Sequence, residues 1–157
     1  MNFYTLIKLF EGEKTAFYTI QEEAGDRTLV WFYDFLLKIE PKDAEQMKSL
    51  LQHIANKYGA KSVFFRHEGA ADALPSVHVG FVEPDARLRL YCMRLNDNAV
   101  ILFNGGYKDA ATAQQSRISM HFRASNEMAR KIQKAIREGR IRFDRFNKLT
   151  WDDDLIL

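Results

Sequence analysis

The segment Arg87-Leu-Arg-Leu-Tyr-Cys-Met-Arg94 alternates polar and apolar side chains, and an apolar run from Ala99 to Phe103 follows it after Asn96-Asp-Asn. In extended backbone, successive side chains point to opposite faces. Arg87, Arg89 and Tyr91 then share one face, and Leu88, Leu90 and Cys92 share the other. Asn96-Asp-Asn is turn chemistry, so Arg87–Leu95 and Ala99–Phe103 read as an antiparallel hairpin. The second strand is apolar enough for the middle of a sheet and ends in Gly105-Gly106-Tyr107-Lys108. Such a hairpin commits the chain to a sheet with at least one buried face. Two guanidinium groups and a phenol on the other face require either an external anion or carboxylates on a neighbouring strand.

The remaining segments supply partners for this sheet. Phe3 to Phe10 is rich in aromatic and β-branched residues and reads as a strand, with Thr15 to Ile20 as its hairpin partner across Glu11-Gly-Glu-Lys. After Gly25-Asp26, Leu29, Phe32 or Tyr33, Leu36 and Ile39 recur at helical spacing. Pro41 suits the first turn of a second helix, whose apolar stripe runs through Ala44, Met47, Leu50 or Leu51, Ile54 and Tyr58 to a glycine cap at Gly59. Ser62 to Arg66 reads as a short strand, His67 to Pro75 as loop, and Val77 to Val82 as a strand before the turn Glu83-Pro-Asp-Ala. Residues 110–123 support two periods. Ile118, Met120 and Phe122 alternate as in a strand, whereas Ile118, Phe122, Ser125, Ala129, Ile132 and Ile136 are spaced as in a helix. The helical period persists to Gly139 and is preferred; Arg140 to Asp144 is then a last strand or an extended arm. The fold class expected is α+β, a mostly antiparallel sheet packed against an N-terminal α-hairpin, with an additional C-terminal helix.

At 157 residues one domain is expected, with no linker, repeat or low-complexity tract. No apolar run is long enough to span a membrane and no export signal is visible, so a cytoplasmic protein is expected. A single cysteine, Cys92, excludes an intramolecular disulfide and a thiolate metal cluster. His53, His67, His78 and His121 lack metal-ligand spacing, so neither a metal nor a cofactor is expected. Asn104-Gly-Gly is too short for a phosphate loop and reads as a turn needing positive φ at glycine. Charge is uneven: residues 106–150 carry eleven basic and four acidic side chains, against six and nine in residues 1–50. The basic third is either a phosphate-facing surface or a solvated helix face.

Arg66, His67, Arg87, Arg89, Tyr91, Arg94 and Lys108 form the remaining chemical set. Arginine holds phosphate bidentately and lysine supplies a point charge. Metal-free RNA cleavage needs a base for the 2′-hydroxyl, cations for the charge gathering on phosphate, and an acid for the leaving oxygen. Arg, Lys, Tyr and His can divide those tasks, and Tyr can stack on a base. Arg87 and Arg89 could equally pair with carboxylates on a neighbouring strand.

The order of a strand or hairpin, two helices and a run of antiparallel strands resembles the RelE/ParE toxin superfamily of toxin–antitoxin systems. The local match is Arg87-Leu-Arg-Leu-Tyr-Cys followed by Ala99-Val-Ile-Leu-Phe-Asn-Gly-Gly-Tyr-Lys108, with Gly59 and Phe64-Phe-Arg66 in keeping with it; it covers roughly residues 28–110, leaving a basic helical extension over 111–157. The resemblance implies a toxin-like endoribonuclease acting on ribosome-bound messenger RNA and held by a small antitoxin protein. It implies catalytic roles for Arg89, Tyr91 and Lys108, with Arg87 assisting at the phosphate; with Arg66 and Arg94 of the basic set, Arg87 is expected to bind RNA. The alternatives are a non-catalytic binding module of the same fold that inhibits a protein target or docks a protein partner through its basic C-terminal helix, and a protein whose arginines serve the fold alone.

Overall fold

The computed structural model describes residues 2–76, 85, 87–108 and 113–157, with side chains from 117 onward in the last stretch. The strand expected at Val77–Val82, His78 and most of the following turn lie outside the described residues. What is described is an α+β arrangement of a seven-stranded, mostly antiparallel sheet, three helices and a separate two-stranded hairpin. No helix among the described residues is long and apolar enough to cross a membrane.

The chain begins with the expected hairpin: β1 (Asn2–Glu11) pairs antiparallel with β2 (Ala16–Ala24). Gly25, at φ +65°, and Asp26 then reverse the chain into β3 (Arg27–Val30), which returns along β2. Leu29 was expected to open a helix; it instead pairs with Glu22 in this strand. The reason is local, because a glycine that adopts positive φ freely makes a two-residue reversal, and the β-branched Thr28 and Val30 favour extension. Helix α1 (Trp31–Lys38) starts only at Trp31.

Helix α2 (Pro41–His53) begins at the expected proline and continues through one π-helical turn, Ile54–Tyr58, to Gly59. The two helices therefore follow three strands, and the expected N-terminal α-hairpin is corrected to a helix pair inserted between β3 and the rest of the sheet. Between Gly59 and Ser76 two further expectations change. Ser62–Phe64 is a single 3-10 turn, and β4 (Arg66–Glu68) and β5 (Ala71–Leu74) form a short hairpin where a loop was expected. Alanine and aspartate carry little β-propensity; here burial decides, with Ala71, Ala73 and Leu74 almost fully covered.

The hairpin that dominates the sequence is present as β6 (Leu88–Asn96) and β7 (Ala99–Tyr107). Strand order is β1-β2-β7-β6-β5-β4, with β3 also on β2. The β2–β7 pair is parallel, joining Ala16–Thr19 to Ala99–Leu102, while Gln21–Ala24 of β2 pairs with β3. Thr19 ties the junction: its hydroxyl donates to the Leu102 carbonyl at 2.6 Å and accepts from the Phe32 amide at 3.3 Å. Both sheet faces are covered. Leu88, Leu90, Cys92, Val100 and Leu102 pack with Phe35 and Met47, Leu50 and Leu51 of α2. Tyr91, Met93, Ile101 and Phe103 pack with Ile118, Met128, Ala129 and Ile132 of helix α3 (Ala113–Arg137) and with Ile141, Leu149 and Leu155 beyond it. The helical period chosen for residues 118–136 is the one adopted. Its last partner is the small hairpin of β8 (Ile141–Phe143) and β9 (Leu149–Trp151).

The register of β6 and β7 slips between Leu90–Gly105 and Cys92–Leu102, so β7 carries an extra residue at Phe103-Asn104. The bulge brings Gly105 so near β6 that a Cβ there would lie 1.9 Å from the Arg89 carbonyl oxygen. Close approach, rather than the positive φ expected from sequence, is what this glycine provides. At Gly106 the nearest atom to a Cβ would be Ile118 Cδ1, 3.8 Å away. Gly105→Ala is expected to cost about 3 kcal/mol of unfolding free energy and Gly106→Ala less than about 1 kcal/mol, measured by urea denaturation. Equal effects would show that the bulge is not a constraint.

Candidate functional site

The residues singled out in the sequence are distributed over three surroundings. Arg87 precedes β6 and does not share the Arg89–Tyr91 face. Its guanidinium grips the Asp85 carboxylate, at 3.1 Å and 2.8 Å, and lies over the Tyr107 ring at 5.4 Å. That pairing holds the Asp85 carboxyl down at about 2. The Tyr107 hydroxyl donates to Asp43 and accepts from the Glu40 amide, and burial followed by Asp43 pushes its pKa up to about 12. Arg94 is on the α2 face: its Nε donates to the Ala60 carbonyl at 2.6 Å and its Nη2 to Asp97. Arg66 donates through Nε to the Pro75 carbonyl at 2.8 Å.

Arg89 and Tyr91 do face α3, as alternation requires, but that face is closed. Arg89 is only 9% exposed; its Nη1 donates to the Leu88 carbonyl at 2.9 Å, and its Nε lies 4.0 Å from Glu68 Oε1. Burial and then the charge of Arg66 lower its pKa. Tyr91 packs edge-on against Phe122 of α3, with ring centroids 5.9 Å apart. Burial, then the Glu68 charge, pushes its pKa up to about 12.

Tyr91 nevertheless reaches a cleft of about 380 Å³ between the sheet and the N-terminal half of α3. Lys108 joins it there, with Glu68 from β4 and Ser119, Phe122 and Arg123 from α3. The backbone of Lys108 is anchored by its amide donating to the Arg87 carbonyl at 2.8 Å. The edge hairpin carrying Glu68 is tied to α3 by Asn126, whose Oδ1 accepts from the amides of Ala70 and Ala71. Two of the three expected catalytic residues thus share a cleft and the third lies in the buried layer beside it.

On the other side of Ile118 is a polar cluster that sequence reasoning did not assemble. Lys38 Nζ donates to Asn104 Oδ1 at 2.8 Å, stands 2.8 Å from His121 Nε2 and pairs with Asp34 Oδ2 at 3.2 Å. Asn104 Nδ2 completes the ring of contacts by donating to Asp34 at 2.8 Å. Because Lys38 donates to Nε2, the His121 proton sits on Nδ1. Burial and then the Lys38 charge pull His121 down to about 4. The cluster depends on the β7 bulge, which aims Asn104 at α1, and on the phase of α3, which decides the face of His121. Neither was readable locally. Arg117, Gly105, Gly106 and Tyr107 border the adjoining cleft of about 130 Å³.

The outer face of α3 carries the remaining positive charge. From residue 117 to its end the helix holds six Lys and Arg and one carboxylate, Glu127. Arg123, Glu127, Arg130, Lys134 and Arg137 recur at alternating spacings of four and three, one solvent-facing stripe. Compared with protein-family models, curated proteins and solved structures, the chain matches none.

A histidine whose folded pKa lies below its ordinary 6.5 leaves the unfolded chain binding more protons between the two values. The contribution of neutral His121 is therefore fully present above about pH 6.5 and lost as pH falls towards about 4. His121→Gln is expected to flatten the rise of the thermal midpoint with pH across that window. An NMR titration should find His121 neutral at pH 6; a midpoint near 6.5 would dismiss the buried pairing with Lys38.

Proposed function

We propose that this protein binds RNA along the outer face of α3, as a toxin-like RNA-binding domain whose role is docking in preference to strand cleavage. The observation that carries the reading is the division of its cations. Arg87 and Arg94 pair with carboxylates, and Arg66 and Arg89 donate to backbone carbonyls. Arg117, Arg123, Arg130, Lys134 and Arg137 are exposed and pair with no carboxylate among the described residues. From Arg123 to Arg137 the stripe spans about 21 Å at the helical rise of 1.5 Å per residue. A row of unpaired cations of that length suits the phosphate backbone of a polynucleotide, where affinity comes from displaced counterions.

Support for the endoribonuclease reading is narrower. Tyr91 and Lys108 share a cleft, yet a buried phenol with a pKa near 12 is poorly matched to accept or release a proton at neutral pH. Arg89, assigned to the scissile phosphate by resemblance, lies in the buried layer. RNA binding without cleavage is therefore preferred to the endoribonuclease reading.

A fluorescently labelled 12-nucleotide oligouridylate, followed by anisotropy against salt, tests this. Arg130→Ala, Lys134→Ala and Arg137→Ala combined should weaken binding by about 30-fold and lower the salt slope by about 2, at about 0.7 per phosphate contact. Lys48→Ala with Lys57→Ala, exposed cations on the α2 side, should change neither quantity. Equal loss in both variants, or no binding, would reject the α3 surface. Cut RNA that disappears with Lys108→Ala would restore the cleavage reading.

A further inference from the structure

We infer that the cleft between α3 and the sheet is a binding site for one guanine nucleotide. This inference rests on the RNA reading for its biological setting, since the site would receive a base from a bound strand, but its chemistry is independent of the basic stripe. Volume comes first: about 380 Å³ is enough for a mononucleotide and too little for a folded partner. The lining comes second. The half-buried Phe122 ring, held edge to face at 5.9 Å by the buried Tyr91 ring behind it, is the aromatic surface on which a base can stack. Lys108 and Arg123 are exposed cations, and neither is paired with a carboxylate among the described residues.

Strand order separates the two kinds of charge. Lys108 follows β7 and Glu68 ends β4, with Tyr91 on β6 between them. A ligand stacked on Phe122 can therefore meet cations on one side and a carboxylate on the other. A phosphate fits beside Lys108 and Arg123, because Arg forms bidentate pairs with phosphate and Lys adds a point charge. It does not fit beside Glu68.

The carboxylate selects the base. An ionised carboxylate accepts hydrogen bonds and donates none. Among the four bases only guanine presents two adjacent donors, N1–H and the N2 amino group, on its pairing edge. Adenine and cytosine each place an acceptor beside their donor, and uracil flanks its single donor with two carbonyls. Glu68 lines this cleft, with Arg89 Nε 4.0 Å from its Oε1, so its carboxylate borders the space that a ligand would fill. The Ser119 hydroxyl, one turn before Arg123, can serve either as donor or as acceptor to the sugar or base.

Calorimetric titration of the full-length protein with 5′-GMP, 5′-AMP and inorganic phosphate decides the site. GMP is expected to bind at least tenfold more tightly than AMP, and inorganic phosphate more weakly than either, with about tenfold per satisfied donor pair as the scale. Glu68→Gln should bring GMP and AMP together, Arg123→Ala should weaken both alike, and Ser119→Trp should fill the cleft and abolish binding. Because Arg123 is exposed, its loss reads out binding even where the tryptophan variant folds poorly. No GMP binding at 1 mM, on the order of the weakest affinities counted as specific, or equal binding of GMP, AMP and phosphate, would overturn the inference. The RNA arm uses oligouridylate with and without one central guanine. Equal binding of the two overturns the guanine site and leaves the α3 surface standing. No binding of either, with GMP still preferred over AMP, rejects the RNA reading and keeps the nucleotide site.

Discussion

Strands β6 and β7 are buried on both faces, and most of the molecule follows from that condition. A strand with one wet face can leave its polar side chains in water; a strand covered twice must satisfy each of them internally. Arg94 does so through Ala60 and Asp97, and Asn104 through Lys38 and Asp34, while Arg89 places Nη1 on the Leu88 carbonyl and Nε 4.0 Å from Glu68. The β7 bulge belongs to the same solution. By adding a residue opposite Tyr91 it turns the Asn104 amide towards α1 and leaves Gly105 against the Arg89 carbonyl.

The condition also sorts the cations. Those on or beside the central strands are held by the fold, and their loss would be felt as instability. Those on the outward side of α3 form no ion pair with a carboxylate among the described residues. A tally of net charge, +2 for the whole chain, conceals this division. The local excess in the C-terminal third discloses it only once the phase of α3 shows which residues point outward.

Much of the architecture was legible from short-range patterns. Alternation around Arg89, the turn at Asn96-Asp-Asn and the persistent period from Ile118 to Ile136 correspond to β6, β7 and α3. What escaped depended on distant residues. Nothing in Ala71-Asp-Ala-Leu74 announces a strand until β6 lies beside it. A helix covering the Arg89–Tyr91 face could not be read from β6 itself, so an apparently open catalytic face was in fact a core layer. The same distance hid the cleft, in which Tyr91 and Lys108 were foreseen while Glu68, Ser119, Phe122 and Arg123 were not. The cleft draws on residues spread from Glu68 to Arg123, and only packing brings them together.

The split edge of β2 has a consequence for how the chain is made. Its first half pairs with β7 and its second half with β3, so a local hairpin satisfies one part while the other waits for a partner 83 residues downstream. At translation rates of about 5–20 residues per second, roughly 4–17 s separate the appearance of Thr19 from that of Leu102. Throughout that interval Ala16 to Thr19 is an unpaired sheet edge carrying Phe17 and Tyr18, the kind of edge that recruits strands from other chains. The nascent chain is therefore most exposed to aggregation early, before its most apolar strand has been synthesised, and a shielding factor acting on the first 30 residues would matter more to yield than one acting on the finished fold.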